Sequence, residues 1–117
     1  MADAKSDRYE FLQGTLDMLI LRTLIFGPLH GYGIAQSIHR SSGEALHIEA
    51  GSLYPALQRL ELKGLVTARW EKSDSNRQAR YYRLTPAGRK RLASDISRWN
   101  DFAVAIARVL DPTRSEG

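Results

Sequence analysis

The chain has 117 residues, no cysteine and a formal net charge of +4 at pH 7. This length suits one domain with a modest core, and the lack of cysteine excludes disulfide bonds and thiolate metal sites. Residues 1–10 lack the apolar run of a signal peptide, and the most apolar stretch, 16–26, is too short to span a bilayer. We therefore expect a soluble, cytoplasmic protein without a membrane partner, whose mild basic excess is compatible with a polyanionic ligand.

The first predicted helix runs from Leu16 to Phe26. Thr15 is the predicted N-cap, and Gly27-Pro28 ends the helix. Leucine, isoleucine and methionine occur around most of its circumference, which is more than one docking face requires. In so short a chain, we expect the second buried side to face another subunit. The residues assigned to that interface are Leu16, Leu19 and Ile20.

Two further helices are predicted at about Tyr32–Arg40 and Ser52–Lys63, joined by the connection 41–49. The turn Gly31-Tyr32-Gly33 leads into the first of them. Two short helices joined by a glycine-containing turn, the second with a polar free face, are typical of a helix-turn-helix.

The third predicted helix is amphipathic. Its apolar stripe consists of Leu53, Leu57 and Leu60. Pro55 has no N–H group to donate, so we expect it near the start of the helix. Ser52 is the N-cap that best fits this proline, whereas a cap at Glu49 would sacrifice one backbone hydrogen bond.

After this helix the apolar period changes to two, which indicates a strand. Its predicted inner face consists of Val66, Ala68 and Trp70. Residues 72–76 have turn chemistry, and Arg77–Leu84 is the predicted return strand. The basic residues expected at the hairpin are Lys72, Arg77 and Arg80. Three helices followed by a hairpin predict a winged helix-turn-helix, a mostly α fold with a small β-hairpin.

Thr85-Pro86 predicts the start of a long C-terminal helix, because an N-cap is followed by proline at the first helical position. Apolar residues then recur every 3.5 positions, as in a coiled-coil seam. The residues of this seam are Leu92, Ile96, Trp99, Ala103, Ile106 and Leu110. A helix from Thr85 to Leu110 would be about 39 Å long, longer than the domain needs, so we assign the seam to a homodimer interface. The alternative is that it packs on its own domain.

The predicted elements form one compact unit with two parts. These are a winged helix-turn-helix domain, residues 10–84, and a dimerisation helix, residues 85–110. Residues 1–9 and 111–117 are expected to be flexible termini.

Several short segments together resemble those of PadR-type transcriptional regulators. They are Gly14-Thr15-Leu16, Gly31-Tyr32-Gly33-Ile34, Gly51-Ser52-Leu53-Tyr54-Pro55-Ala56-Leu57, Arg59-Leu60-Glu61, Gly64-Leu65 and Tyr81-Tyr82-Arg83-Leu84-Thr85 with Gly88, in that order. The resemblance covers about residues 10–110. It implies a winged-helix repressor that dimerises through its C-terminal helix and the first helix of the partner. Many such proteins respond to small aromatic or amphipathic molecules.

The resemblance also implies a surface that binds double-stranded DNA. Its residues are Tyr32, Ser52, Tyr54, Pro55, Gln58 and Arg59, together with the hairpin residues Lys72, Arg77 and Arg80. Gln58 can pair with an adenine edge and Arg59 with a guanine edge, while Ser52 at a helix N-terminus suits a phosphate. Tyr32 and Tyr54 can equally well pack inside the domain, and each hairpin cation can belong to a solvated loop.

No cofactor, metal site or catalytic residue is expected. The three histidines are not spaced as ligands within one element, and no nucleophile–base pair or phosphate-binding loop stands out. In some relatives of the family that this chain resembles, an aromatic residue at the subunit interface stacks against planar ligands, and this resemblance makes Trp99, with Ala103 one turn on, a candidate effector site. Alternatively, Trp99 fills the core between helix and hairpin. The alternative function is a winged-helix module that contacts protein or RNA without an operator.

Overall fold

The computed structural model of the protein describes residues 13–111 and residue 113. Its helices are α1 (Gln13–Thr23), α2 (Gly31–Ser41), α3 (Ala50–Leu62) and α4 (Pro86–Leu110), and a 3-10 turn, Leu24–Phe26, extends α1. Its strands are β1 (Leu29–His30), β2 (Val66–Lys72) and β3 (Gln78–Leu84). They form one antiparallel sheet in the order β1-β3-β2. The predicted winged helix-turn-helix with a long C-terminal helix is thereby confirmed, whereas the two-residue β1 was missed. The termini that were predicted to be flexible lie outside the described residues, apart from residues 111 and 113.

The core lies between the first three helices, the start of α4 and the sheet. Its fully buried residues include Ile20, Leu21, Leu24, Ile34, Leu57, Leu60 and Val66. Apolar burial of this kind stabilises the fold by about 25 cal/mol per Å². Three residues that were predicted at the dimer interface, Leu16, Ile20 and Leu92, are buried in this core of the single chain. Their burial therefore needs no second subunit, and an additional interface role for them stays a prediction.

The helix starts differ from the prediction at two places. Thr15 lies inside α1, so its assignment as N-cap is wrong. The N-cap of α3 is Glu49 and not Ser52, since the Glu49 carbonyl accepts hydrogen bonds from the backbone N–H groups of Ser52 and Leu53 at 3.0 and 2.9 Å. Pro55 consequently lies inside α3. It cannot donate to the carbonyl of Gly51, an exposed position where water can satisfy that oxygen.

The hairpin extends beyond the helical core. Its register runs from the pair Val66 and Leu84 to the pair Lys72 and Gln78. Val66 is buried, but Trp70 on the same face of the sheet is 66% exposed, so the prediction that Trp70 points inward is wrong. Arg77 belongs to the turn and not to the return strand. The turn is closed by Asn76, whose φ of 64° lies in the left-handed region that asparagine tolerates.

The start of α4 is fixed against the end of the hairpin. Thr85 is the N-cap as predicted, because its Oγ1 accepts a hydrogen bond from the Gly88 N–H at 2.9 Å. A Cβ atom at Gly88 would lie 2.1 Å from the backbone oxygen of Leu65. The first turns of α4 pack on the core through Leu92 and Ile96, whereas residues 97–110 are all exposed.

The close approach at Gly88 generates a stability prediction. Gly88→Ala should lower the free energy of unfolding by about 1–3 kcal/mol, because the backbone of α4 must move away from Leu65. The control is Gly14→Ala in α1, where nothing lies within 4 Å of the added methyl group, and where alanine should stabilise the helix by up to about 1 kcal/mol. Urea denaturation of both variants measures the difference. Equal stabilities would show that the backbone contact is not a constraint.

Candidate nucleic-acid interface

The polar face of α3 is the centre of the candidate interface. Its opposite face is buried through Leu53, Ala56, Leu57 and Leu60, so the helix has one orientation on the core. The predicted residues Ser52, Tyr54, Pro55 and Gln58 are all exposed. Leu62 is 81% exposed and was not predicted to belong to this face. Its spacing of i+4 from Gln58 and i+7 from Pro55 is the signal that was overlooked.

The start of α2 adjoins α3 at one point. A Cβ atom at Gly31 would lie 2.7 Å from the hydroxyl oxygen of Tyr54, so only glycine leaves room for this ring. Tyr32 is exposed, and its hydroxyl oxygen accepts a hydrogen bond from Gln36 Nε2. Both tyrosines therefore keep exposed surface, Tyr54 on α3 and Tyr32 on α2, and neither is part of the core.

His30 fixes the first turn of α2. Its Nδ1 accepts a hydrogen bond from the Gly33 N–H at 3.0 Å, which makes His30 the N-cap. The imidazole also meets the ring of Tyr81 edge-on, with 5.2 Å between centroids. Sequence reasoning considered this histidine only as a metal ligand and missed its capping role. Histidine is not among the usual capping residues, so the sequence carried little signal for it.

Arg59 is held by α1. Its Nη2 donates to Asp17 Oδ1 at 3.0 Å, and the side chain of Arg59 keeps 30% of its surface exposed. Arg59 therefore lies at the edge of the polar face and not at its middle. Its predicted pairing with a base stays a prediction.

Of the three hairpin cations, Lys72 and Arg77 are exposed. Arg80 instead points back to α3, where its Nη2 donates to Glu61 Oε2 at 2.7 Å. This pair places Glu61 on the flank of α3 next to the sheet. Tyr82 lies nearby in β3, and burial raises its pKa above 10, although the Arg80 charge acts in the opposite direction.

The exposed half of α4 is rich in apolar residues. The predicted residues Trp99, Ala103, Ile106 and Leu110 are exposed, and so are Phe102 and Val109, which the sequence analysis missed. Four of the exposed residues have the 3, 4, 3 spacing of alternating a and d positions in a coiled-coil heptad: Trp99, Phe102, Ile106 and Val109. Ile96 and Leu19 are half-buried against the core. The dimer interface stays a prediction.

A groove of about 360 Å³ lies between α1 and α4. It is lined by Gly14, Thr15, Met18, Arg91, Asp95, Arg98, Trp99 and Phe102. The rings of Trp99 and Phe102 are 6.1 Å apart, and Asp95 accepts hydrogen bonds from Arg91 and Arg98 at 3.1 and 3.0 Å. Trp99 therefore lines this groove and Ala103 does not, and the effector site between subunits stays a prediction.

Within the described residues, no three side chains among histidine, aspartate and glutamate are grouped as a metal site would need. No helix of that part of the chain combines the length and the hydropathy needed to cross a membrane.

Comparison with known proteins identifies the family of this chain. Residues 20–94 match the model of the transcriptional regulator PadR-like family. The chain belongs to that family. The PadR-like fold and family are those of transcriptional regulators, which bind DNA and are not enzymes.

Individual relatives of this PadR-like chain agree with the assignment. The transcriptional regulator Rv3488 of Mycobacterium tuberculosis is 35% identical over 86 residues, which cover 74% of this chain and 77% of the relative. A transcriptional regulator structure from Clostridium thermocellum has 30% identity and a TM-score of 0.75, over 82% of this chain and 93% of that one. A PadR family regulator from Eggerthella lenta has 33% identity and a TM-score of 0.71, over 85% and 84%.

Proposed function

We propose that this PadR-like regulator is a repressor that binds a pseudo-palindromic duplex as a homodimer. The observation that carries the proposal is the fixed orientation of α3, whose apolar face is fully buried and whose polar face is exposed beside the hairpin. A helix of this kind enters the major groove of B-DNA, and a two-fold dimer places two of them about 34–36 Å apart.

The polar face offers distinct contacts to bases and phosphates. Gln58 is exposed at its middle and can pair with the N6 and N7 atoms of adenine. Ser52, Tyr54 and Tyr32 present hydroxyl groups that suit phosphate oxygens, and Pro55 and Leu62 offer apolar contacts to a thymine methyl group. Arg59 contributes its remaining donors at the edge of the face.

The hairpin tip supplies charge without base specificity. Lys72 and Arg77 are exposed and have no ion-pair partner among the described residues, so they can neutralise phosphates. Arg80 is engaged with Glu61 and contributes by fixing the hairpin to α3 more than by contacting DNA.

The direct test is selection of duplexes by the wild-type protein from a random library, followed by measurement of affinity against salt. Enrichment of an inverted repeat is expected, and transcription from a promoter that overlaps this repeat should fall when the protein is added. A protein that enriches no duplex, but retains partners of another class, would favour the alternative module for protein or RNA contacts.

Arg77→Ala tests the role of the hairpin tip. Loss of one phosphate contact should weaken binding to all duplexes alike. The slope of log affinity against log salt concentration should become shallower by about one. Arg83→Ala is the matched control, because it removes the same charge from a residue that pairs with Glu71 at 3.2 Å and lies opposite Thr67, away from the hairpin tip. Fluorescence anisotropy titrations at several salt concentrations measure both slopes. Identical slopes for the two variants would remove the hairpin tip from the DNA surface.

The homodimer is supported by the exposed half of α4. Residues 97–110 extend away from the core with an apolar arc along one side. A contiguous apolar surface that is exposed along one side of a helix typically marks a protein–protein interface. Coiled-coil pairing with a second copy would bury the arc, and α1, which packs on α4, lies next to it.

Ile106→Asp tests this interface. The variant places an unpaired charge in an apolar seam, at a cost on the order of several kcal/mol, so sedimentation velocity should show a monomer with little affinity for the selected duplex. Ser97→Asp adds the same charge on the opposite side of α4, where residue 97 is also exposed, and should leave the dimer intact. A dimeric Ile106→Asp protein would move the interface elsewhere, with α1 as the first candidate.

An effector that releases DNA is proposed for the groove beside Trp99, where two aromatic rings and the Asp95 cluster meet. A planar aromatic compound can stack there, and it will release DNA only if it favours a dimer geometry unlike the bound one.

The chain has two tryptophans, so Trp70→Phe leaves Trp99 as the sole reporter. Titration of planar aromatic compounds should quench its fluorescence, and the same compounds should dissociate the selected duplex. The matched Trp99→Phe protein should show no quenching. If a broad panel of compounds quenches neither variant, Trp99 serves only in packing.

A further inference from the structure

Asp17 is an unusual residue within the helical core. It is the only charged residue that is buried in the part of the chain that the structure describes, with 6% of its surface exposed. A buried carboxylate is costly unless it is paired and hydrogen-bonded. Its partner is the Nη2 atom of Arg59, 42 residues further along the chain, at 3.0 Å. This ion pair joins α1 to α3.

The remaining donors of Arg59 point to a second task for this residue. A guanidinium group carries five N–H donors, and the bond to Asp17 uses one of them. Nε is enclosed and has no partner, which leaves three N–H groups on the two Nη atoms. Because the side chain is 30% exposed, these end groups are the part of Arg59 that can reach a ligand.

We propose that Asp17 is a positioning residue for DNA recognition, which acts by orienting Arg59 toward a base edge. The inference rests on the proposed DNA-binding function. Arginine has several rotatable bonds, and a guanidinium fixed at one edge loses less conformational entropy when its other edge pairs with a guanine. The buried position of Asp17 makes the pair hard to break, so Arg59 keeps this direction when DNA is bound.

The test uses a profile of base preference. The probe is the duplex that the wild-type protein selects, together with its single-base-pair variants at every position. Proteins with Arg59→Ala, Asp17→Asn and both substitutions are titrated against this panel. Glu71→Gln is the control, because it changes the net charge equally and breaks an exposed pair with Arg83.

Asp17→Asn should weaken the selected duplex about tenfold and relax the preference at the same base pair as Arg59→Ala. The double variant should bind no more weakly than Arg59→Ala alone, because both changes remove one coupled contact. Glu71→Gln should leave the profile unchanged.

Three results would overturn the proposal. A uniform loss with Asp17→Asn on all duplexes would make Asp17 a structural residue. Tighter binding by the Asp17→Asn protein would show that Asp17 competes with DNA for the guanidinium group of Arg59. An unchanged profile with Arg59→Ala would show that Arg59 reads no base, although the proposed function would stand as long as the wild-type protein selects a duplex.

If the Asp17→Asn protein does not fold, Asp17→Glu provides a second test of the proposal. The longer acid retains the ion pair, and so the fold, but displaces the guanidinium group by one methylene. The preference at the Arg59 base pair should fall while the unfolding temperature stays near that of the wild type. An unchanged preference in this variant would contradict orientation by Asp17.

Discussion

Burial of one face of α3 in the core sets the direction of its polar face. Leu53, Ala56, Leu57 and Leu60 are each at most 2% exposed, and rotation of the helix would bring polar groups into the core. Two ion pairs then fix its flanks, Arg59 with Asp17 of α1 and Glu61 with Arg80 of β3. Breaking the pair of Arg59 with the buried Asp17 would leave an uncompensated charge, so α1 and α3 keep one relative position. The pair of Glu61 with Arg80 is more exposed and adds a smaller constraint between α3 and the hairpin.

The long helix α4 is constrained at one end only. Its cap at Thr85 and the contact of Gly88 with Leu65 fix the point where it leaves the sheet, and Leu92 anchors the next turns. Beyond this point the helix continues with an apolar arc that the single chain does not cover. One core therefore orients both α3 and α4. In the proposed homodimer, a change in the pairing of the two α4 helices would alter the separation of the two α3 helices.

Much of this fold could be predicted from periodicity. The change from helical to alternating spacing after Gly64 and the Thr85-Pro86 start carry local signals, and both elements were placed correctly. The Glu49 cap, the direction of Trp70 and the pairs made by Arg59 and Arg80 depend on tertiary neighbours. Local rules favour Ser52 before Pro55, but the helix starts three residues earlier, where the Glu49 carbonyl accepts hydrogen bonds from the N–H groups of Ser52 and Leu53, and it loses one hydrogen bond at Pro55. Cations at the interface could be named from sequence, whereas their engagement with Asp17 and Glu61 could not.

Missing-nucleoside interference on the duplex that the protein selects tests directly whether a symmetric dimer reads DNA through α3. We expect two clusters of essential bases, related by a dyad, with centres about 10–10.5 base pairs apart, since two fixed α3 helices must enter successive major grooves on one side of the DNA. A single cluster, or two clusters in direct repeat, would contradict a symmetric dimer that reads DNA through α3.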